Sequence, residues 1–333
     1  MLFKTLKSNN KVNFILFPIM GIAFWFKSVW NQNIYPFSPG ETDNLLFKPI
    51  YLFLNKIPYL PNIITLTVLI GMAFLMLSIN NKYNFIRIRT KLPAPLFILI
   101  ICGFTDLQAM HPVYFGAFFV LISIHRMFNA FGQKQPYSAA FDAGFFLGIA
   151  ALFHFNIIIL FPVFLIGIGF FSRETHWREF VILTLGLFLP FLFAFSFAYV
   201  NNSTPELIET FELNIFSPVN HIQSNIPLQI YLAFLSLLVL MGCISMVQQY
   251  DAKKISSRKF FILFLLLFIF SLISIVAVPG ASHEMLIVIS IPVTFLLSNF
   301  FVFLKSRFWG NFLFLLLFFL VIALQFSTAF ING

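Results

Sequence analysis

The run Gly40-Glu41-Thr42-Asp43 sets two carboxylates two positions apart in a polar stretch. Such an E-x-D pair can hold Mg or Mn through hard oxygen ligands, or take a proton from an incoming hydroxyl. A plainer role is equally open, because Pro and Gly break the chain here. The two acids can start a short helix and face its positive dipole end. A second polar segment, Phe104 to Pro112, offers Asp106 and His111. Asp106 either caps the helix that follows, with Pro112 in its first turn, or lines a cavity with His111. A third, Phe153-His154-Phe155-Asn156, pins an imidazole in a tight turn, and a fourth, Pro279 to Glu284, delivers His283 beside Glu284.

Each of these segments alone has a structural explanation, the lone His154 above all, as a hydrogen-bonded residue. Together they bring His, Asp and Glu from four distant parts of the chain, which is the raw material of one shared polar cavity. Glu206, Glu209 and Glu212 recur every third residue within 201–227, a stretch that also holds His221 and has no Lys or Arg. That spacing gives a solvated helix face, or a lid over the cavity. Asp142 sits in an apolar run and reads as a buried hydrogen-bonding residue. No spacing matches a zinc site or a serine hydrolase, and no phosphate-binding or dinucleotide-binding glycine motif is present, so nucleotide-driven and nicotinamide chemistry are set aside.

What must position these residues is membrane-spanning helix. Of 333 residues, 60% are hydrophobic and 9% charged, where soluble domains carry about a quarter charged residues; the mean hydropathy is +0.95. A hydrocarbon core of about 30 Å takes roughly 20 apolar residues per helix, and lipid leaves no open backbone group satisfied. The alternation of apolar runs and polar breaks predicts an all-α, polytopic helix bundle of eleven spans in one domain over 1–333. They lie near 13–31, 60–79, 94–107, 111–130, 138–153, 156–172, 180–200, 228–248, 260–279, 284–303 and 311–329. The third and fifth are short enough to tilt, kink or re-enter. An interfacial helix is expected in the first outer loop, 32–59, and a long outer loop at 201–227.

With the N-terminus inside and the C-terminus outside, the inner face collects Lys4, Lys7, Lys11, Lys82, Arg87, Arg89, Lys91, Arg126, Lys134, Arg173, Arg178, Lys253, Lys254, Arg258, Lys259, Lys305 and Arg307. Only Lys27, Lys48 and Lys56 of the 20 basic residues are left outside. This bias sets orientation, so the net charge of +9 is a topology signal with membrane lipids as partners, and nucleic acid is excluded. The basic start followed by a long apolar run without a small-residue cleavage site reads as an uncleaved first span. Cys102 and Cys243 both fall in spans and read as packing residues.

The layout, with its basic inner end, its acidic first outer loop and the segments Phe153-His154-Phe155-Asn156 and His176-Trp177-Arg178-Glu179-Phe180, resembles a family of bacterial polytopic membrane proteins of unknown function. More distantly, it is similar to the glycosyltransferase-C superfamily, which takes sugars from polyprenyl-phosphate carriers. That likeness implies a bacterial inner-membrane enzyme with Glu41 and Asp43 in the first acidic motif, one of them the general base, and Asp106 in the second. Read together with the shared cavity, it places a divalent cation on Glu41, Asp43 and Asp106 and substrate contacts at His111, His154, His283, Glu284 and Lys48. Carrier phosphate normally meets Arg or Lys, and the sequence departs from that habit by leaving only Lys27, Lys48 and Lys56 outside. A transporter or flippase for an envelope lipid or polymer, and a non-enzymatic subunit of an envelope assembly or secretion complex, are the rival readings. A cavity open only outside favours the enzyme, a path open to both faces favours transport, and a filled interior under flat loops favours the subunit.

Overall fold

A computed structural model describes residues 13–83, 86, 90–174, 176–217, 226–250, 253–281 and 283–331. Expectations for Lys4, Lys7, Lys11, Arg87, Arg89 and His221 lie outside the described residues. Within them the chain forms thirteen α-helices joined by turns, three of them 3-10, and no strand. They are α1 (Asn13–Trp30), α2 (Phe47–Leu54), α3 (Leu60–Tyr83), α4 (Pro93–Cys102), α5 (Pro112–Asn129), α6 (Tyr137–Phe153) and α7 (Phe161–Phe171). After these come α8 (Trp177–Val200), α9 (Thr204–Phe216), α10 (Ile226–Gln248), α11 (Ile255–Ala277), α12 (Leu286–Phe303) and α13 (Arg307–Ile331). Seven of them, α1, α3, α8, α10, α11, α12 and α13, are long and apolar enough to cross a membrane. The chain is thus an all-helical membrane protein.

Every one of the eleven apolar stretches overlaps a helix, while α2 and α9 occupy the two long loops. Of the four stretches that separate eleven from seven, three fall on the shorter helices α4, α6 and α7. The fourth falls on α5, which has 18 residues but is not among the seven helices long and apolar enough to cross. At about 1.5 Å per residue, the ten residues of α4 reach only halfway through a hydrocarbon core. The expected run 94–107 stops at Cys102, because the Tyr231 ring occupies the space beside Gly103, where a Cβ would lie 2.3 Å from it. A helix that ends inside protein must have its last carbonyls satisfied, since each orphan group at such depth costs several kcal/mol. The Tyr231 hydroxyl donates to the Ile100 carbonyl at 2.8 Å, and the Gln108 and Gln325 side-chain amides donate to Cys102 at 3.0 and 2.9 Å.

Hydrophobicity on all sides buries a helix completely. All ten residues of α4 are buried, as is α12 from Ile287 to Val302, and these two form the axis of the bundle. At the rim, α8 turns Leu185, Phe188, Leu192 and Phe193 outward, as a lipid-facing helix does. Its other side lies against α6 with the backbones nearly touching: a Cβ on Gly144 would sit 2.1 Å from the Leu183 carbonyl, and one on Gly186 2.4 Å from that of Phe141. Small residues supply such packing where no hydrophobic effect draws helices together in lipid.

The connections between α1 and α3, α4 and α5, α6 and α7, α8 and α10, and α11 and α12 meet at one end of the bundle. Asn62 holds the first two, donating to the Ser28 and Asn33 carbonyls and accepting from the Met110 amide, all between 3.1 and 3.2 Å. Asn156 donates to the Gly280 carbonyl at 3.0 Å, and the Gly280 amide donates to Ile215 at 2.9 Å. Basic residues gather at the opposite end, where Arg126 meets Asp142 at 3.6 Å and Lys134 meets Glu174 at 3.6 Å. Asp142 is therefore not the buried residue its apolar run suggests. It lies where α6 leaves the bundle, about a third exposed and paired with Arg126.

Candidate functional site

The site starts from a tight turn. Gly40 takes φ +88°, open to glycine without strain, and a Cβ there would lie 2.9 Å from that of Leu213 on α9. This turn drives Glu41 inward to 3% exposure. One carboxylate oxygen accepts the Ser38 amide at 2.8 Å, and the other faces His111 Nε2 at 3.4 Å. His111 is the N-cap of α5, its Nδ1 accepting the Val113 amide at 3.2 Å. That bond leaves the ring proton on Nε2, directed at Glu41. The capping role expected of Asp106 thus belongs to His111, while Asp106 stays exposed in the turn Thr105–Leu107.

Burial pushes the Glu41 carboxyl up, but the attraction and hydrogen bond of His111 and the Ser38 amide outweigh it and hold the group below its usual value. The turn is held from behind by amides. Asn44 donates to the Glu41 carbonyl at 2.9 Å, and Asn214 of α9 donates to the Gly40 carbonyl and the Asn44 side chain, both at 3.3 Å.

Aromatic and imidazole rings enclose this pair. Tyr35 lies edge-on to His111 with centroids 4.6 Å apart, Phe37 stacks on its other side at 5.8 Å, and His154 follows at 5.9 Å. The Tyr35 hydroxyl is 3.3 Å from His283 Nε2, and burial together with Glu284, Glu41 and Asp106 holds its phenol far above the ordinary range. His154 is fully buried with neither ring nitrogen hydrogen-bonded. Burial and then His111 push its pKa down to about 3, with Glu41 pulling the other way, so the ring is neutral. Glu284 is 1% exposed.

Three of the four polar segments therefore supply groups around Glu41, namely His111, His154, and His283 with Glu284. Asp43 does not join them. It is half exposed and pairs with Lys48 at 3.0 Å, which also ties Lys48 to the surface. It caps nothing either: Leu46 is the N-cap of α2 and offers no side-chain bond. Asp106 bonds Thr105 at 3.4 Å. Of the expected cation set, Glu41 turns inward while Asp43 and Asp106 reach the surface, and no group of three or more His, Cys, Asp and Glu side chains that could hold a metal is found among the described residues.

Sequence reasoning passed over Tyr35, Phe37, Asn44, Asn62 and Asn214. Only Asn62 and Asn214 carried a signal, each an amide inside an otherwise apolar helix face. On α9, Leu207, Thr210 and Asn214 point inward and Glu206, Glu209 and Glu212 outward, the solvated face their spacing suggested. Beside the buried pair opens a pocket of about 200 Å³ between the first loop, α2 and the start of α3. Tyr35 and Phe37 form the wall between pocket and His111.

No curated protein and no solved structure matches the chain, and neither comparison brings out the glycosyltransferase-C likeness. The sequence profile of a family of unknown function, DUF6427, matches residues 44–331, starting just after Glu41. The chain belongs to that family.

Proposed function

We propose that this protein is a multi-pass enzyme of the bacterial cytoplasmic membrane, in which Glu41 and His111 perform acid–base chemistry on a polar headgroup at the outer face. The observation that carries the reading is the Glu41–His111 pair itself, an ionised carboxylate 3% exposed beside a fully buried imidazole. Burying a charge costs more than its partner returns, and an apolar pair of similar volume would fold as well or better. Such groups are retained at a membrane boundary for function. The pocket lies at this end, next to the pair, and α2 beside it exposes Leu52 and Phe53 as an interfacial helix does.

The reaction class is group transfer, with a lipid-linked sugar as donor. Glu41, held ionised, accepts the proton of an acceptor hydroxyl that reaches it past Tyr35 and Phe37. That oxygen bonds the sugar's anomeric carbon as the bond from this carbon to the carrier phosphate breaks, the phosphate leaving with its electron pair. His111, its Nε2 proton directed at the carboxylate, orients Glu41 and shares the charge change. Eleven crossings with the N-terminus inside put this end on the outer face, as the placement of basic residues supports. The test is sugar transfer from a polyprenyl-phosphate donor by the purified protein in lipid nanodiscs. Glu41→Gln is expected to lower transfer by about 10²–10⁴-fold, the contribution of a positioned base, with Asp43→Asn close to wild type. Equal activity in the two variants would overturn the assignment.

A further inference from the structure

From the pocket beside α2, we infer a binding site for the phosphodiester headgroup of an anionic membrane lipid. The proposal deepens the reading above, resting on it only in placing this end of the bundle at a membrane surface. The pocket is lined by Gln32, Asn33, Tyr51, Asn55, Lys56 and Tyr59 along with the Tyr35 and Phe37 wall, and no Asp or Glu lines it. Side-chain amides, phenols and an ammonium converge there, a set rich in donors with one positive charge.

Lys56 is exposed and has no ion pair among the described residues, in contrast to Lys48, which is already taken by Asp43. One free cation balances one negative charge, which is that of a phosphodiester and less than that of a phosphomonoester or diphosphate. The volume of about 200 Å³ is below the roughly 300–1,000 Å³ of pockets that enclose a whole small molecule. It suits a headgroup whose chains stay outside. The rim suits those chains, since Trp30, Ile34, Leu52, Phe53 and Ile57 are all about half exposed or more.

The backbone is also shaped for this concavity. Gln32 and Tyr59 take φ of +52° and +67°, a left-handed conformation that is an outlier for a bulky residue. Both line the pocket. Asn62, at its floor, spends its amide on the Ser28 and Asn33 carbonyls and the Met110 amide, and so fixes the walls without contacting ligand.

The experiment uses the full chain in neutral detergent, with the thermal midpoint and titration calorimetry as readouts, because a ligand that binds only the folded state stabilises it. The probes are short-chain phosphatidylglycerol, short-chain phosphatidylcholine and the water-soluble diester glycerophosphoglycerol. Phosphatidylglycerol is expected to raise the midpoint, phosphatidylcholine to do so weakly because its own cation meets Lys56, and the soluble diester not at all. Lys56→Gln should weaken phosphatidylglycerol binding about tenfold, the worth of a charge-assisted hydrogen bond, while Lys56→Arg and Lys48→Gln bind as wild type. No shift with phosphatidylglycerol, or an equal shift in Lys56→Gln, would overturn the site. Equal affinity for glycerophosphoglycerol would overturn the lipid as its source. Glu41→Gln lies outside the pocket and should still bind, so failure of the transferase reading is separable from failure of this one.

Discussion

The two ends of the bundle hold charge differently: at the basic end a fully buried carboxylate, Glu179, caps α8 by accepting the His176 amide at 2.6 Å, while the Lys and Arg pairs reach water. At the basic end, Arg126 and Asp142, and Lys134 and Glu174, form pairs at 3.6 Å with every partner about a third exposed or more. Water screens such pairs, which are worth about 0–1 kcal/mol each. At the other end, Glu41, His111 and His154 are withdrawn from water altogether and held by a turn, an N-cap and a set of amides. Charge that only orients a protein in the bilayer can stay at the surface. Glu179 shows that a buried carboxylate can be a helix cap; what sets Glu41 apart is the set of groups gathered around it, His111, His154, Tyr35 and Glu284. The contrast separates a topology signal from a site within one chain.

The strongest way to break the contrast is to unseat α9, which closes the buried end. A Cβ on Gly280 would lie 2.0 Å from the Asn214 carbonyl, a backbone atom that cannot swing away. Gly280→Ala is expected to cost about 1–3 kcal/mol or more, read as a lowered thermal midpoint and faster proteolysis near α9. Next comes Glu41→Leu, which strands the Ser38 amide and the His111 Nε2 proton in the interior. Each orphan costs about 1–3 kcal/mol, and Glu41→Gln should recover most of the loss. Asp43→Leu on the same turn is expected to change stability by less than about 1 kcal/mol, because it breaks only an exposed pair.

Acid should also tell the ends apart. The His154 pKa is near 3 in the folded protein and about 6.5 unfolded, so below about pH 6.5 the unfolded chain binds the extra proton. Stability is then lost as pH falls, by up to about 1.4 kcal/mol per unit. Glu41, held low when folded, loses its contribution in the same direction as pH falls through its folded value. A His154→Gln variant is expected to have a flatter acid limb between pH 6.5 and pH 5, measured by thermal midpoint against pH. The smallest effect belongs to the basic end, where Asp142→Asn should alter stability by under about 1 kcal/mol. Asp142→Leu should be tolerated nearly as well, since both side chains of the pair reach water.

These contrasts track how legible the chain was. Apolar runs read out the helices because lipid admits so few alternatives, and the segments bearing His111, His154 and His283 showed themselves as ionisable groups at membrane boundaries. Asp43 and Glu41 could not be separated by sequence. Two residues apart, they differ in that Glu41 turns inward and Asp43 reaches the surface, and contact with α9, some 170 positions away, decides that. Cys102 ends α4 for a similar reason: the Tyr231 ring that stops it arrives from another helix. Long-range packing, rather than local propensity, set both outcomes.

The claim that the buried end does the chemistry and the basic end only anchors is tested most directly in cells whose sole copy carries Glu41→Gln or Arg126→Gln, matched for membrane abundance, by measuring the glycan content of envelope polymers and proteins. The expected result is depleted glycan with Glu41→Gln and normal glycan with Arg126→Gln. Normal glycan in an abundant Glu41→Gln strain would contradict it.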